Sequence, residues 1–158
     1  MRRKDKEVTD KQDLLEIVRN CKVCRLGLAV DERPYVVPLN FGYSWEEAEP
    51  LKLFFHCASV GLKLDMLAKN NLLCFEMDYG HKLLPAPTAS KYSFAYASII
   101  GWGRGYIITQ DEEKRHALYK LMEHQAGPGE YEISAADVDE VTVFCLEAEE
   151  ITGKKNRI

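Results

Sequence analysis

Residues 51–67, LKLFFHCASVGLKLDML, decide the fold class and contain the first candidate site. The stretch opens as a short apolar strand, Leu53 to His56, breaks at small residues and continues with helical spacing. A strand that stops at small residues and restarts as a helix leaves backbone N–H groups free at the turn, where the helix dipole is also positive. Lys63, one turn into the helix, adds a positive charge, so this turn is a candidate phosphate site. The alternative is an ordinary strand–turn–helix with Ser59 as its N-cap.

The bulk composition predicts one globular domain over residues 1–158. Hydrophobic residues make up 46% and charged residues 29% of the chain, as in an ordinary soluble protein. The formal net charge of −4 argues against a general nucleic-acid binder and against a protein that binds anionic membranes. No apolar run approaches the roughly 20 residues that cross a bilayer, and no apolar region of a secretory signal follows the first basic residues. We therefore expect a cytoplasmic protein.

Five cysteines make an odd count, and most of them lie in apolar, strand-like runs. This placement favours buried, reduced thiols over a disulfide framework. Cys21 and Cys24 form a C-x-x-C pair, but no second pair and no suitably spaced histidines accompany it, so no zinc site is predicted. A redox pair opens a helix after a strand, whereas this pair follows a predicted helix and enters a strand. A structural role is therefore favoured.

Hydrophobic periodicity and turn residues divide the chain into six strands and three helices. The predicted helices span residues 10–20, with Thr9 and Gln12 as a capping box, a segment that ends near 69, and residues 111–124. The predicted strands span residues 23–30, 35–43, 51–56, 72–78, 92–109 and 141–146. Loops are expected over 79–90 and 127–139, and Ile151 is an alternative end for the last strand. The tail 153–157 is expected to fray unless an anionic ligand orders it. The strands favour antiparallel pairing, so the expected fold is mainly β (α+β), an antiparallel barrel with helices on its outside or ends.

Proline and glycine mark two special strands. Pro38 lies inside a predicted strand but has no N–H to donate, so it indicates an edge, a bulge or a break. Asn40 and Gly42 follow closely, which either keeps the backbone clear for a ligand or reflects a plain edge-strand bulge. Glycines at the alternate positions 101, 103 and 105 place bare backbone on one face of the long strand. There they bend the strand or let a ring or another chain lie against it.

The sequence lacks the common catalytic motifs. There is no G-x-S-x-G, no H-E-x-x-H and no P-loop. His56 and Cys57 do not form a dyad, because neighbouring residues of a strand point to opposite faces. His116 and His124 are expected on the solvent side of their helix rather than at a metal. The remaining glycines and aromatic side chains, with Lys63 and His56, suit the binding of a flat, phosphorylated ring more than acid–base chemistry.

Three segments resemble the flavin-binding split-barrel proteins related to pyridoxamine 5′-phosphate oxidase, and among these the nitroimidazole-resistance (Nim-type) branch. They are Pro34–Tyr43 (PYVVPLNFGY), Phe55–Lys63 (FHCASVGLK) and Tyr96–Gly103 (YASIIGWG). The ending Ile151–Lys155 (ITGKK) is also typical of that branch. The resemblance covers nearly the whole chain in the right order, which makes it more specific than any single motif.

The resemblance implies a six-stranded antiparallel split β-barrel with flanking helices. It also implies a homodimer with FMN in the groove between the subunits, and FAD is an alternative because the phosphate anchor serves both. The residues implied to contact the flavin are Val37, Pro38, Leu39 and Asn40 at the isoalloxazine edge, His56, Cys57, Ala58, Ser59 and Lys63 at the ribityl phosphate, and Ser98 and Gly101 on the opposite wall.

The resemblance also suggests a reaction, with one departure from the family pattern. The oxidase has Ser-Arg-Lys in its phosphate block, where this chain has Gly61-Leu62-Lys63, so pyridoxamine phosphate oxidation is not expected. The leading hypothesis is an FMN-dependent oxidoreductase that reduces small nitro-aromatic or quinone-like compounds, with His56 as the candidate catalytic residue. Trp102 and Tyr96 are candidates for a stacking wall, although a core or dimer-interface role is favoured for Trp102. The alternatives are a flavin-binding or sensing protein without turnover, and a haem-binding split barrel with His56 or His81 as the iron ligand.

Overall fold

The computed structural model describes residues 3–157, and Met1, Arg2 and Ile158 of the predicted domain lie outside that range. The helices are α1 (Lys11–Asn20), α2 (Leu62–Lys69), α3 (Asp111–Ala126) and α4 (Ala135–Glu140), with short 3₁₀ turns at Lys4–Lys6 and Ala89–Lys91. The strands are β1 (Glu7–Val8), β2 (Cys24–Val30), β3 (Arg33–Leu39), β4 (Gly42–Ser44), β5 (Lys52–Cys57), β6 (Leu72–Leu84), β7 (Ser93–Ile108) and β8 (Thr142–Asn156). Within the described range, none of the helices combines the length and apolarity needed to cross a membrane.

Antiparallel pairing joins seven strands in the order β3-β2-β6-β7-β8-β5-β4, and β1 adds to β8. β3 and β4 stand at opposite ends of this order although they follow each other in the sequence. The short link 40–41 therefore brings the two edges of the sheet together, with no ladder between them in residues 3–157. The result is a split barrel with flanking helices, as predicted. Pro38 lies on the edge strand β3, where its missing N–H costs no ladder bond.

The barrel interior is an apolar core, whose fully buried side chains include Phe41, Phe55 and Phe75. Each of them contributes about 1.5–3 kcal/mol relative to an exposed position. Alternation along β5 places Phe54 on the other face, where it packs with Ala117 of α3 in a second apolar cluster. α3 therefore covers the outside of β5, whereas α1 adds its apolar face to the interior core.

The glycines of β7 face the interior and allow close packing there. A Cβ atom at Gly101 would lie 2.4 Å from the ring of Phe75, and one at Gly103 would lie 2.1 Å from the carbonyl oxygen of Glu147. Because real Cβ atoms do not approach other atoms so closely, larger residues would force the sheet apart. The ring that lies against the bare backbone is thus the chain's own Phe75.

The structure has eight strands within the described range, where six were predicted. The predicted strand 35–43 divides at Asn40 and Phe41, because β3 pairs with β2 whereas β4 pairs with β5. The other addition is β1, whose two residues pair with β8. This pairing, together with β7, keeps the chain in β8 as far as Asn156, so the prediction that the tail 153–157 frays was wrong.

Both predicted loops are shorter than expected. Residues 79–84 continue β6, because they pair with β7 beyond a register shift. Residues 135–140 form α4, which begins with a capping box between Ser134 and Asp137. Neither segment has a strong apolar periodicity. Long-range pairing with β7 makes the first a strand, and the local capping box makes the second a helix, so periodicity predicts neither.

Two polar side chains have other roles than predicted. The N-cap of α1 is Asp10 rather than Thr9, since the Asp10 carboxylate accepts the N–H group of Gln12 at 2.9 Å. His124 is buried instead of facing solvent, and its Nε2 atom lies 2.8 Å from the carbonyl oxygen of Cys21. Burial lowers the pKa of His124, which favours the neutral ring.

The five cysteines are free thiols, as predicted. Cys21 and Cys24 are both buried, and burial raises the pKa of the Cys21 thiol to about 12. A thiol with so high a pKa stays protonated at neutral pH and is a poor nucleophile. The C-x-x-C pair therefore belongs to the apolar core, which supports its structural role.

Candidate functional site

The turn between β5 and α2 leaves the start of the helix open. Gly61 is the N-cap, with a φ of 145° that side chains other than glycine rarely adopt, and no side chain among the described residues caps the helix. The alternative with Ser59 as N-cap is therefore wrong. A Cβ atom at Gly61 would meet nothing within 4 Å, so the space around the N-cap is clear. Free N–H groups and the positive end of the helix dipole face this opening.

Lys63 supplies the positive charge at this turn. Burial raises the pKa of the neighbouring Cys57 thiol, and Lys63 offsets part of that rise through its charge and a hydrogen bond, so its ammonium group lies beside the thiol. Lys63, Leu26 and Leu64 line the same small space at the barrel wall. Among residues 3–157, Lys63 has no carboxylate partner, which leaves its charge available to an anion.

His56 and Cys57 lie on opposite faces of β5, as predicted. Cys57 is buried against the core, whereas His56 is exposed and borders a cleft of about 450 Å³ between β5, α3 and α4. His56 therefore lies across the strand from the contact between Lys63 and Cys57. Ala58 and Ser59 are exposed in the turn itself.

The predicted residues 37–40 form the end of the edge strand β3. Val37 and Leu39 pack against the core, whereas Pro38 and Asn40 are exposed. Because β3 has a neighbour on one side only, a row of its main-chain groups is free for recognition through the backbone. The side chain of Asn40 is already engaged, since its Nδ2 atom donates to the carbonyl oxygen of Lys22 at 3.0 Å.

Ser98 and Gly101 lie on β7 but on opposite faces, since they are three residues apart on one strand. Ser98 lies on the outer face, in register with Asp78 of β6 and Lys154 of β8. Gly101 faces the core against Phe75, so it can offer only main-chain groups to a ligand on the outer face. The structure does not bring these two positions into one wall, and their odd spacing already indicates this.

The outer face of β7 exposes three large apolar side chains, Phe94, Ile100 and Trp102. Their exposed fractions are 49%, 42% and 40%. Trp102 is therefore not a core residue, which leaves the stacking and interface roles. Tyr96 lies on the same face, with the Lys154 ammonium 5.6 Å from its ring centre, a distance that allows a cation–π contact.

His81 lies on the part of β6 that was predicted to be a loop. Its Nε2 atom is 2.7 Å from Oδ2 of Asp78, and Nη1 of Arg25 is 2.8 Å from Oδ1 of the same carboxylate. A histidine that binds a metal through one ring nitrogen commonly donates the other to a carboxylate, so Nδ1 remains the nitrogen through which His81 could bind iron.

The predicted site residues lie on three surfaces of the chain. These are the β5–α2 turn, the end of β3 and the outer face of β7. The first surface presents N–H groups and an ammonium group, the second presents free main-chain groups, and the third presents aromatic and aliphatic side chains. One chain therefore offers the parts of a site for a flat, phosphorylated ring.

A comparison with known protein families shows which family has this sequence pattern. The model of a family described as pyridoxamine 5′-phosphate oxidase matches residues 10–155, which include all three surfaces. The chain belongs to the pyridoxamine 5′-phosphate oxidase family. No curated protein matches this family member significantly.

Solved structures include similar members of the fold. A candidate 5-nitroimidazole antibiotic resistance protein from Bacteroides thetaiotaomicron is 33% identical, with a TM-score of 0.80 over 94% of this chain and 85% of that chain. The FAD and haem binding protein from Mycobacterium smegmatis is 18% identical, with a TM-score of 0.82 over 97% of this chain and 74% of that chain. A flavocytochrome from Azotobacter vinelandii is also 18% identical, with a TM-score of 0.81 over 100% of this chain and 72% of that chain. The first comparison confirms the predicted likeness to the nitroimidazole-resistance branch, and the other two show the fold alone.

The sequence predictions for this family member missed one group of residues beside His56. Six residues between Glu130 and Glu140 line the His56 cleft, but the segment 127–139 was predicted to be a loop without a site. Ser134 followed by Asp137 is a capping pattern that predicts the helix. Four acidic side chains of this segment border the cleft, and that acidic bias was the signal for a charged wall.

Proposed function

We propose that this family member binds FMN, with the phosphate at the start of α2. The observation that carries the proposal is the open helix start, where Gly61 leaves the space clear and Lys63 adds an ammonium group. Helix N–H groups and an ammonium group are the donors that a phosphate requires, so the residues present fit the group. The same anchor suits the first phosphate of FAD.

A second copy of the chain completes the proposed site. The family resemblance implies a flavin groove shared by two subunits, and the free edge of β3 and the outer face of β7 are available to a second copy. Phe94, Ile100 and Trp102 are exposed on the outer face of β7, and exposed apolar side chains on one face support an interaction surface there. The proposed partner is thus an identical subunit.

The proposed activity is the reduction of small nitro-aromatic or quinone-like compounds. The 33% identity with the candidate 5-nitroimidazole resistance protein supports a nitro-aromatic substrate. Bound flavin supplies two-electron chemistry. The chain supplies the phosphate anchor at Lys63, and the exposed imidazole of His56 can pass a proton to a substrate in the adjoining cleft. Leu62 occupies the position of the oxidase arginine and is 54% exposed, so pyridoxamine phosphate oxidation is not proposed.

The test is NAD(P)H oxidation by the purified, FMN-loaded protein, with and without a nitro-aromatic acceptor. We expect oxidation that depends on both the acceptor and FMN, and the flavin-free protein is the matched control. Absence of turnover with either nucleotide would leave a flavin-binding protein without catalysis. The visible spectrum of the purified protein distinguishes flavin from haem in the same preparation.

The chemistry of the cysteines supports a cytoplasmic location. All five are free thiols, and four of them are buried. Free thiols persist in reducing compartments, whereas oxidising compartments favour disulfides. The location we propose is therefore the cytoplasm.

A further inference from the structure

The cleft beside His56 has a shape and lining that suit a small ligand. It encloses about 450 Å³, within the range of small-molecule sites. Leu118, Leu121 and Met122 of α3 form an apolar side. The facing side belongs to α4 and to the segment between α3 and α4, which we name the acidic wall (residues 130–140).

Hydrogen bonds from two tyrosines and two cations hold the acidic wall in place. Tyr119 donates to the carbonyl oxygen of Gly129 at 3.0 Å, and Tyr131 donates to that of Gly127 at 2.7 Å. The other two bonds are from Lys114 to the carbonyl oxygen of Val138 at 2.5 Å, and from Arg115 to that of Ile133. The cleft is thus formed before a ligand arrives, which lowers the entropic cost of binding.

Within residues 3–157, Arg115 is close enough to act on Asp137 electrostatically, but the other carboxylates on the cleft side have no cationic partner. Asp137 is engaged by the hydroxyl and N–H groups of Ser134. Glu130, Glu132 and Glu140 also line the cleft, and none of the three forms an ion pair or side-chain hydrogen bond within residues 3–157. No lysine or arginine of the described chain lines the cleft. Lys114 and Arg115, which come from α3, are directed to main-chain carbonyl groups. Carboxylates above an apolar surface complement a cation with an apolar body.

We propose that this cleft binds a small aromatic or heteroaromatic cation. Its ring contacts the apolar residues of α3, and its positive charge faces Glu130, Glu132 and Glu140. The assignment of this cation as the reducible substrate rests on the proposed function, because it requires electrons from the flavin. The binding of the cation does not depend on that function. His56 borders the cleft and lies on the opposite face of β5 from the contact between Lys63 and Cys57.

Calorimetric titration of the FMN-loaded protein tests the cleft with three matched probes. These are benzyltrimethylammonium, benzyl alcohol and phenylacetate, which share a benzyl group and differ in charge. We expect the cation to bind at least about tenfold more tightly than the neutral probe, the anion to bind weakest, and the preference to shrink at high salt. Equal binding of the three probes would overturn the proposal, and this comparison needs no variant.

Variants locate the effect within the molecule. The double change Glu132→Gln and Glu140→Gln should weaken cation binding about tenfold and leave the neutral probe unchanged. Glu32→Gln, in the exposed turn between β2 and β3, is the matched control and should bind as the unaltered protein does. If the double variant retains the full cation preference, the acidic wall is not the binding surface.

Turnover separates this inference from the proposed function. Cationic and anionic nitrobenzenes are compared as acceptors in the NAD(P)H assay. Cation binding without any turnover would exclude the proposed reductase activity and support the proposed cation site in the cleft. The opposite result is turnover without a preference for the cationic acceptor, together with equal binding of the benzyl probes. It would exclude the cation site in the cleft and support the reductase activity.

Discussion

The helices α1 and α2 begin in opposite ways. At α1, the carboxylate of Asp10 accepts the N–H groups of Gln12 at 2.9 Å and Asp13 at 3.2 Å. At α2, Gly61 brings no side chain to the first turn, and Lys63 follows two residues later. The first helix satisfies two of its free N–H groups with its own cap, which stabilises the fold. The second leaves them available, which suits the binding of an anion.

α3 shows why an uncapped start alone is not an anion site. Its N-cap, Gln110, also makes no side-chain cap hydrogen bond among the described residues. The first turn of α3, however, contains Asp111, Glu112 and Glu113, which interact favourably with the dipole and repel other anions. In α2 the first charged residue is Lys63, and the only acid of the first turn is Asp65. The charges of the first turn therefore distinguish the start of α2 from the start of α3.

Removal of the ammonium group tests the open start most strongly. We expect Lys63→Ala to weaken FMN binding by about 1.5–3 kcal/mol, as for the loss of a charged hydrogen bond. FMN fluorescence titration measures the effect. Lys69→Ala, at the exposed C-terminal end of the same helix, is the matched control and should leave the affinity unchanged. Equal affinities for all three proteins would exclude Lys63 from the site.

An acid at the first helical position makes α2 begin like α3. We expect Leu62→Glu to weaken FMN binding by about 1 kcal/mol through like-charge repulsion, and to stabilise the helix by about 0.3–1 kcal/mol. Leu62→Arg restores the arginine of the oxidase pattern and should tighten FMN binding. The same titration measures both variants. If the FMN affinity does not depend on the sign of the charge at residue 62, the phosphate binds elsewhere.

Removal of the cap at α1 should affect stability and leave binding unchanged. Asp10→Ala deletes the acceptor for two N–H groups and should lower the free energy of unfolding by about 1 kcal/mol. Urea unfolding gives this value, and the FMN titration gives the affinity. A loss of FMN affinity at unchanged stability would reverse the roles that we assign to the two helix starts.

The smallest expected effect is a pH dependence of the stability, which comes from His124 near the C-terminal end of α3. A helix C-terminus favours a protonated histidine, but burial lowers the pKa of His124. The folded protein then binds fewer protons than the unfolded chain below about pH 6.5, so stability falls as the pH drops through that value and is insensitive to it above. The loss between pH 7 and pH 6 is at most about 0.7 kcal/mol.

Urea unfolding at several pH values measures this slope. His124→Asn should remove the contribution, whatever it does to the absolute stability. His116→Asn, on an exposed position of the same helix, should retain it. If the pH dependence of stability disappears in His116→Asn and not in His124→Asn, the buried ring of His124 is not its source.

Local patterns were sufficient to predict part of the fold and of the site. The β5–α2 turn and the long strand β7 follow from residue spacing alone, because small residues interrupt one pattern and alternate in the other. The position of Pro38 at an edge also follows from its chemistry. The family resemblance placed these pieces in a split barrel, which the structure confirms.

Other features depend on contacts between distant residues. Asn40 and Phe41 separate two strands because the flanking segments pair with different partners, and no local pattern specifies those partners. His124 is buried because Cys21, more than one hundred positions away, supplies its hydrogen-bond acceptor. The implied residues Ser98 and Gly101 remain separate because alternation, rather than proximity in sequence, decides the face.

Equilibrium binding of FMN against riboflavin tests the central claim most directly, because the two ligands differ only in the phosphate. The open start of α2 predicts that the protein binds FMN at least about tenfold more tightly than riboflavin, and that Lys63→Ala removes most of this difference. Equal affinity for the two flavins, or a preference for FMN that survives Lys63→Ala in full, would contradict the claim.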